Sequence, residues 1–313
     1  PAPRRDDPRQ VAAPPGRNRM TFEGLEHTPQ LARSFDGTFI AVRKMGRDGA
    51  PPLLVVNAIG ANLAVWRRVL VDVVRDGPAI TWDHRGLYES GEPASDRLDP
   101  GAHAEDAVAA LEHHLVERFA IASWSNGSRI ALEIAARHPD RVTGLLMVSG
   151  GYGHPVTRLL SNLELISAIP PAAGVAKHFA PLLEGPFRAL VSRPELTGLI
   201  RQSGMIAASA DTAALVDLVR GMASCDLRML LRNFEAVVGD AAPDLLSEVQ
   251  APTLLIAGEH DQFTSRSMTD EVLRAIPGAR LELYEDATHY LPIEYPARLS
   301  DDLRRFLSGL PRP

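Results

Sequence analysis

The chain has 313 residues, of which 45% are hydrophobic and 23% charged, a globular balance that excludes a disordered, collagen-like or coiled-coil protein. Its formal net charge of -6 gives no general attraction to nucleic acid or to anionic lipid. The single cysteine, Cys225, excludes an internal disulfide and any site built from several thiolates. Because we find neither an apolar membrane span nor an apolar signal core, we expect a cytoplasmic protein without membrane insertion.

The first elements are predicted from local composition. Residues 1–20 are rich in proline and charge and lack an apolar period, which predicts a disordered N-terminal extension. Asp36 and Gly37 form a turn pair between two short strand patterns, which predicts an antiparallel hairpin.

From residue 52 onward, short apolar runs alternate with helical patterns. This alternation predicts an α/β fold, with a mostly parallel central sheet and helices on both faces, formed by residues 21–151 and 246–313. The runs expected to be strands lie at 52–57, 79–82, 119–122, 143–148, 253–257 and 280–284.

Residues 152–245 interrupt the alternation with four or five amphipathic helical patterns, which predict an inserted helical cap. We expect the apolar faces of these helices to pack mainly within the cap, and some of their residues to roof a substrate pocket. The residues in question are Leu159, Leu160, Leu163, Leu182, Leu183, Phe187, Leu215, Leu218 and Met222.

The segment around Ser125 has the spacing of a nucleophile on a sharp strand-to-helix turn. A strand pattern ends there, a helix pattern begins at once, and the small residues Ser123 and Gly127 lie two positions on either side. Such a turn strains the nucleophile's backbone, tolerates only small neighbours, and makes the backbone N–H of Asn126 an oxyanion donor. A serine-rich helix cap would show the same motif, so the downstream residues decide between the two interpretations.

A serine nucleophile needs a histidine base, and the histidine needs a carboxylate that fixes its tautomer. Asp261 follows the predicted strand at 253–257 and is the candidate acid, whereas Asp286, which lacks this strand-end context, is the alternative. His289 follows the last strand and is the candidate base. We expect the neighbouring His260 to be a surface residue.

These motifs together resemble the α/β-hydrolase superfamily, specifically its cap-bearing esterase and lactonase branch, over roughly residues 30–310. The matching segments are Ser123 to Gly127, Gly258 to Asp261, Thr288-His289, and Asp83 to Gly86 with Ser90. The resemblance implies a Ser125–His289–Asp261 triad on an α/β-hydrolase fold.

Two loops depart from the family pattern. The segment from Asn57 to Gly60 is similar to the oxyanion loop of 3-oxoadipate enol-lactonase-like hydrolases, and it implies the backbone N–H of Ile59 as second oxyanion donor, with Ala58 as the weaker alternative. Tyr88 stands where the family has a glycine, which leaves the course of that loop open. We expect His84 to pack in the same loop, and Arg85 to pair with a carboxylate.

We therefore expect a serine hydrolase that acts on a carboxylic ester or lactone through an acyl-Ser125 intermediate, with no metal or cofactor. The expected substrate is a small molecule with a hydrophobic portion, and Trp124 either lines its pocket or packs beside the turn. The same triad would also serve a thioesterase or an acyltransferase, and the fold can host a binding or non-hydrolytic protein. These alternatives stay open.

Overall fold

A computed structural model of the chain describes residues 21–22, 25–26, 28–47, 52–153, 169–191 and 193–311. The N-terminal extension predicted for residues 1–20 lies outside the described residues, as do Leu159, Leu160 and Leu163 of the predicted cap. The described part begins with a small antiparallel pair that the sequence did not predict, Thr21–Phe22 (β1) with Leu25–Glu26 (β2).

The predicted hairpin is confirmed. Gln30–Arg33 (β3) pairs antiparallel with Phe39–Met45 (β4) across the turn at Asp36 and Gly37. Gly37 has a φ of +95°, a left-handed backbone conformation that costs glycine little because it has no Cβ. The carboxylate of Asp36 accepts a hydrogen bond from the backbone N–H of Thr38 at 3.1 Å, which closes the turn.

Each of the six predicted apolar runs forms a strand of one eight-stranded sheet. These strands are Leu53–Val56 (β5), Ala79–Trp82 (β6), Phe119–Trp124 (β7), Val142–Val148 (β8), Thr253–Gly258 (β9) and Arg280–Tyr284 (β10). The strand order is β10-β9-β8-β7-β5-β6-β4-β3, parallel from β10 to β6, with β4 antiparallel to β6. The sheet is therefore mostly parallel, as predicted.

Helices cover both faces of the sheet. In chain order the helices of the described residues are a 3₁₀ helix at Leu63–Trp66, then Arg67–Asp76 (α1), Pro100–His113 (α2), Gly127–Arg137 (α3), Ile169–Val191 (α4), Pro194–Gln202 (α5), Thr212–Ser224 (α6), Leu227–Val238 (α7), Leu245–Glu248 (α8), Arg266–Ala275 (α9), Leu291–Glu294 (α10) and Pro296–Ser308 (α11). Along β5, Leu53 and Val55 pack into the layer of α1 and α11, whereas Leu54 and Val56 pack into the layer of α2, α3 and α9. Successive strand residues point to opposite faces, so a continuous apolar run is what a strand covered on both faces requires.

Helices α4 to α8 lie between β8 and β9 in the chain, where the sequence predicted helices. Leu215 and Leu218 of α6 are buried, as expected. The expected packing of Leu182 and Leu183 is wrong, because these side chains of α4 are 75% and 42% exposed. An amphipathic pattern shows which face is apolar, but it does not show that another element covers that face.

Among the described residues, no helix combines the length and the apolar character that crossing a bilayer requires.

Candidate active site

The sharp turn predicted at Ser125 is present between β7 and α3. Ser125 has a φ of +55°, a strained left-handed conformation for a residue with a side chain, and its backbone N–H donates to the carbonyl of Val148 at 3.0 Å. A Cβ at Gly127 would lie 2.4 Å from the carbonyl oxygen of Asn57, and Ser123 is fully buried. Crowding on both sides of the turn therefore explains why the sequence has small residues at these two positions.

The structure brings Ser125, His289 and Asp261 together in one hydrogen-bonded chain. Nε2 of His289 lies 2.7 Å from Oγ of Ser125, and Nδ1 lies 3.0 Å from each carboxylate oxygen of Asp261. The side chains of His289 and Asp261 are 8% and 1% exposed. In this geometry the carboxylate fixes the proton on Nδ1 and leaves Nε2 free to accept the serine proton.

Backbone groups orient the carboxylate of Asp261. Its Oδ1 accepts hydrogen bonds from the backbone N–H groups of Phe263 at 2.8 Å and Thr264 at 2.7 Å. The hydroxyl of Thr264 donates to the carbonyl of Ser149 beyond β8, at 2.9 Å. The loop after β9 thus holds the carboxylate of Asp261 in a fixed position.

The alternative acid, Asp286, does not contact His289 in the described structure. It is exposed, and its backbone N–H donates to the carboxylate of Glu259 at 3.3 Å. His260 is also exposed, as predicted. Glu259, His260 and Asp286 are the one group of possible metal ligands that the described residues bring within reach of a single ion, and all three are exposed. The absence of a metal requirement stays a prediction.

The two expected oxyanion donors are located in facing loops. The backbone N–H of Asn126 has no acceptor among the described residues. The backbone N–H of Ile59 donates to the side-chain oxygen of Asn126 at 2.8 Å. The side chain of Asn126, the residue after Ser125, therefore already occupies one expected donor. Ala58, the weaker alternative, has its carbonyl bonded to the N–H of Ala61 at 2.9 Å.

Tyr88 has a structural role that the sequence did not predict. Its φ of +52° lies in the left-handed region, consistent with a position where the family has glycine. Its hydroxyl donates to the carbonyl of Gly60 at 2.6 Å, which ties the loop after β6 to the oxyanion loop. Burial raises the pKa of Tyr88 well above its ordinary value, so the phenol stays protonated and can donate.

A buried carboxylate that the sequence did not single out, Glu294, fastens the histidine loop. It accepts hydrogen bonds from the backbone N–H of Thr288 at 2.8 Å and from the Thr288 hydroxyl. It also accepts one from the backbone N–H of Ala207, in the segment between α5 and α6, at 2.9 Å. One side chain therefore links the residue before His289 to the region between β8 and β9.

Trp124 packs beside the turn. Its side chain is 3% exposed, and its indole N–H donates to the backbone carbonyl of His289 at 2.9 Å. The ring of Trp124 lies 5.8 Å from the imidazole of His289, measured between centroids. Trp124 thereby holds the backbone of His289 next to the turn, while its role as a pocket wall stays a prediction.

The loop after β6 carries a buried polar cluster, as predicted for His84 and Arg85. Arg85 forms two hydrogen bonds with Asp106, at 2.8 and 2.6 Å, and one with Asp36 at 3.0 Å. His84 lies edge-on to His103, with 4.9 Å between ring centroids, and burial lowers the pKa of both rings to about 3. Nε2 of His84 lies 3.1 Å from the carbonyl oxygen of Asn57, so the cluster also supports the oxyanion loop.

The sequence model of a family described as alpha/beta hydrolase fold matches residues 51–296. The chain belongs to this family. The resemblance inferred from the motifs is therefore confirmed, as is the fold class.

Relatives and solved structures with high coverage carry hydrolase names. The chain is 28% identical over 282 residues to a pimeloyl-[acyl-carrier protein] methyl ester esterase of Neisseria meningitidis. The aligned region covers 86% of this chain and 80% of the relative. A structure titled as Est816, an N-acyl homoserine lactone degrading enzyme, is 26% identical, has a TM-score of 0.68, and covers 88% of this chain and 99% of its own. The enol-lactonase from Burkholderia xenovorans LB400 shares the fold at 18% identity and a TM-score of 0.69, covering 89% and 100%.

Proposed function

We propose that this α/β hydrolase cleaves a carboxylic ester or lactone through an acyl-Ser125 intermediate. The observation that carries the proposal is the hydrogen-bonded chain from Ser125 Oγ through His289 to Asp261, with contacts of 2.7 and 3.0 Å. The esterase and lactonase names of the relatives and neighbours support the same bond type.

In the acylation step, Nε2 of His289 takes the proton from Oγ of Ser125 while Oγ attacks the substrate carbonyl carbon. The tetrahedral intermediate carries its negative charge on the former carbonyl oxygen. When the C–O bond to the leaving group breaks, the protonated His289 returns its proton to the departing oxygen. An alcohol leaves from an ester, whereas in a lactone the released hydroxyl stays attached to the acyl group.

In the deacylation step, His289 takes a proton from a water molecule, and the water oxygen attacks the acyl carbon. Collapse of the second tetrahedral intermediate breaks the bond to Ser125 and returns the proton to Oγ, so the product is a carboxylic acid. Asp261 stays ionised and stabilises the imidazolium that forms in each half-reaction. The backbone N–H groups of Asn126 and Ile59 stabilise the oxyanion, and each such donor contributes roughly 3 to 4 kcal/mol in other hydrolases.

We propose further that α6 and α7 select a substrate with a hydrophobic acyl portion. A Cβ at Gly60 of the oxyanion loop would lie 2.9 Å from Leu230 of α7 and 3.6 Å from Met222 of α6. These helices therefore bring apolar side chains onto the loop that faces Ser125. This contact supports the interpretation of residues 152–245 as a cap over the site.

Turnover of a p-nitrophenyl ester series of increasing acyl length tests the proposed function. We expect wild-type protein to hydrolyse part of the series and Ser125→Ala to lose more than about 10⁴-fold in kcat with an unchanged circular dichroism spectrum. Ser247→Ala, at an exposed serine of α8, is the matched control and should retain full activity. Equal turnover by Ser125→Ala and wild type would refute the assignment.

The same series tests the role of the helices. Met222→Ala and Leu230→Ala should change the dependence of kcat/KM on acyl length, because a methylene contact in an apolar pocket is worth about 1 to 3 kcal/mol. An unchanged preference in both variants would show that α6 and α7 do not select the acyl group.

A further inference from the structure

The side chain of Asn126 lies where the proposed reaction needs an empty position. A backbone N–H can only donate, so the Asn126 amide must present its oxygen to Ile59, at the observed 2.8 Å. A substrate oxyanion is also an acceptor and would need this same N–H. Asn126 thus supplies one oxyanion donor with its backbone and occupies the other with its side chain.

Asn126 also leaves unused the hydrogen bond that asparagine usually makes at its position. It is the N-cap residue of α3, where an asparagine side chain commonly accepts from the first free N–H groups of the helix. Here the side chain makes no capping hydrogen bond. Its orientation toward Ile59 is therefore not a consequence of helix capping.

The oxyanion loop is held in place by other contacts. The side-chain amide of Asn57 donates to the hydroxyl of Thr81 at 3.1 Å. The backbone carbonyl oxygen of Asn57 lies 3.1 Å from Nε2 of His84. At the other end of the loop, the carbonyl of Gly60 accepts from Tyr88 at 2.6 Å. With both ends anchored, the loop does not depend on Asn126 for its position. Removal of the Asn126 side chain would then free the Ile59 N–H without displacing it.

We propose that the side chain of Asn126 is an internal, displaceable occupant of the oxyanion hole, which substrate must move aside before Ile59 can stabilise the oxyanion. The inference rests on the proposed function of Ser125. The amide oxygen is a neutral acceptor, whereas the developing oxyanion forms a stronger, charge-assisted hydrogen bond and displaces it. Since Asn126 is half-buried, the displaced amide can reach solvent. Asn126 therefore lowers the catalytic efficiency of the resting enzyme and limits reaction with compounds that cannot displace it.

The variant Asn126→Ala tests the direction of this effect. We expect kcat/KM for a p-nitrophenyl ester to rise about 2- to 10-fold, which corresponds to the net free energy of one hydrogen bond. The effect should appear in kcat/KM because this quantity includes the free energy of displacing the Asn126 side chain at whichever step the displacement occurs. The second-order rate of labelling by a fluorophosphonate should rise by a similar factor, since its phosphoryl oxygen needs the same donors. Asn126→Leu should change both rates in the same direction, which separates the lost acceptor from the lost volume.

Asn126→Asp provides the opposite test. The carboxylate keeps an acceptor beside Ile59, binds its N–H more strongly, and repels the oxyanion, so kcat/KM should fall more than tenfold. A fall in kcat/KM for Asn126→Ala, or no change, would overturn the proposal, because the side chain would then position the loop or play no part.

Amide hydrogen exchange at Ile59 tests the contact without any reaction. We expect protection of this amide in wild-type protein and its loss in Asn126→Ala, with neighbouring amides unchanged. Equal exchange in the two proteins would refute the proposal even if Ser125 were catalytic. If exchange behaves as expected but no probe labels Ser125, the contact exists and the proposed function has failed.

Discussion

The carboxylate of Glu294 binds both the backbone N–H and the hydroxyl of Thr288, the residue immediately before His289. Glu294 is 3% exposed, and its carboxylate also accepts a hydrogen bond from the backbone N–H of Ala207. The two backbone donors approach different oxygens. A glutamine has only one acceptor oxygen, so it would leave one buried N–H facing another donor.

We therefore predict that Glu294→Gln lowers kcat roughly tenfold through misplacement of His289, and lowers the melting temperature as well. The matched control is Glu133→Gln, which removes a buried carboxylate paired with Arg129 and Arg137 on α3. The control should lose stability without a comparable loss of kcat below the melting transition. Parallel losses of kcat in both variants would show that Glu294 is only structural.

Asp261 and Asp286 are the two candidates for the acid that orients His289. Because Asp261 holds Nδ1 of His289 at 3.0 Å, Asp261→Asn should lower kcat by roughly 10³- to 10⁴-fold, less than the loss of Ser125. Asp286→Asn, at an exposed residue outside the hydrogen-bonded chain, should change kcat less than twofold. Steady-state kinetics of the two variants distinguish between the two candidate acids. A severe loss for Asp286→Asn with a harmless Asp261→Asn would reverse the assignment.

Tyr88→Phe removes the hydroxyl that donates to the carbonyl of Gly60 in the oxyanion loop. We predict a fall in kcat of about 2- to 10-fold, the value of one net hydrogen bond, as the loop loses an anchor. Tyr284→Phe removes a comparable hydrogen bond to Asp302, at 2.6 Å, and serves as control. Only the first variant should lose kcat, and equal kcat values for Tyr88→Phe and wild type would contradict the anchoring role.

Buried His84 and His103 make the folded protein sensitive to acid. Burial lowers the pKa of both rings to about 3, so the fold keeps them neutral while the unfolded chain protonates them below pH ~6.5. Their contribution to stability is present above this pH and is lost as the pH falls toward 3. Each ring should add about 1.4 kcal/mol per pH unit to the slope of the unfolding free energy between these limits.

Urea denaturation at pH 6, 5 and 4 measures this slope. His103→Leu should have a smaller slope than wild type, whatever its absolute stability. His260→Leu, at an exposed histidine, should keep the wild-type slope. If His103→Leu kept it too, proton binding to the buried ring would not cause the acid sensitivity.

Local patterns in the sequence predicted the features that depend on neighbouring residues. The strands, the turn at Ser125 and the chain order of Ser125, Asp261 and His289 all follow from short apolar runs and small-residue spacing. Crowding at Gly127, where a Cβ would lie 2.4 Å from the carbonyl oxygen of Asn57, is the physical basis of that spacing. Such constraints are visible in the sequence because only glycine satisfies them.

The contacts that surround the site were not predictable in the same way. Asn126 and Ile59 are 67 residues apart, and Tyr88 and Gly60 are 28 apart. These pairs meet only after the sheet has formed, and the side-chain rotamer decides whether a contact exists. Leu182 and Leu183 show the converse, because an apolar helix face was visible in the sequence while its exposure depended on tertiary packing.

The most direct test of the central claim is the mass of the intact protein after reaction with a fluorophosphonate, followed by peptide mapping of the adduct. We expect a single adduct on Ser125 in wild-type protein, and none in Ser125→Ala. His289→Ala should react far more slowly, since Nε2 of His289 lies 2.7 Å from the attacking oxygen. Wild-type protein that stays unlabelled, or that carries the adduct on another residue, would contradict the assignment of Ser125 as the nucleophile.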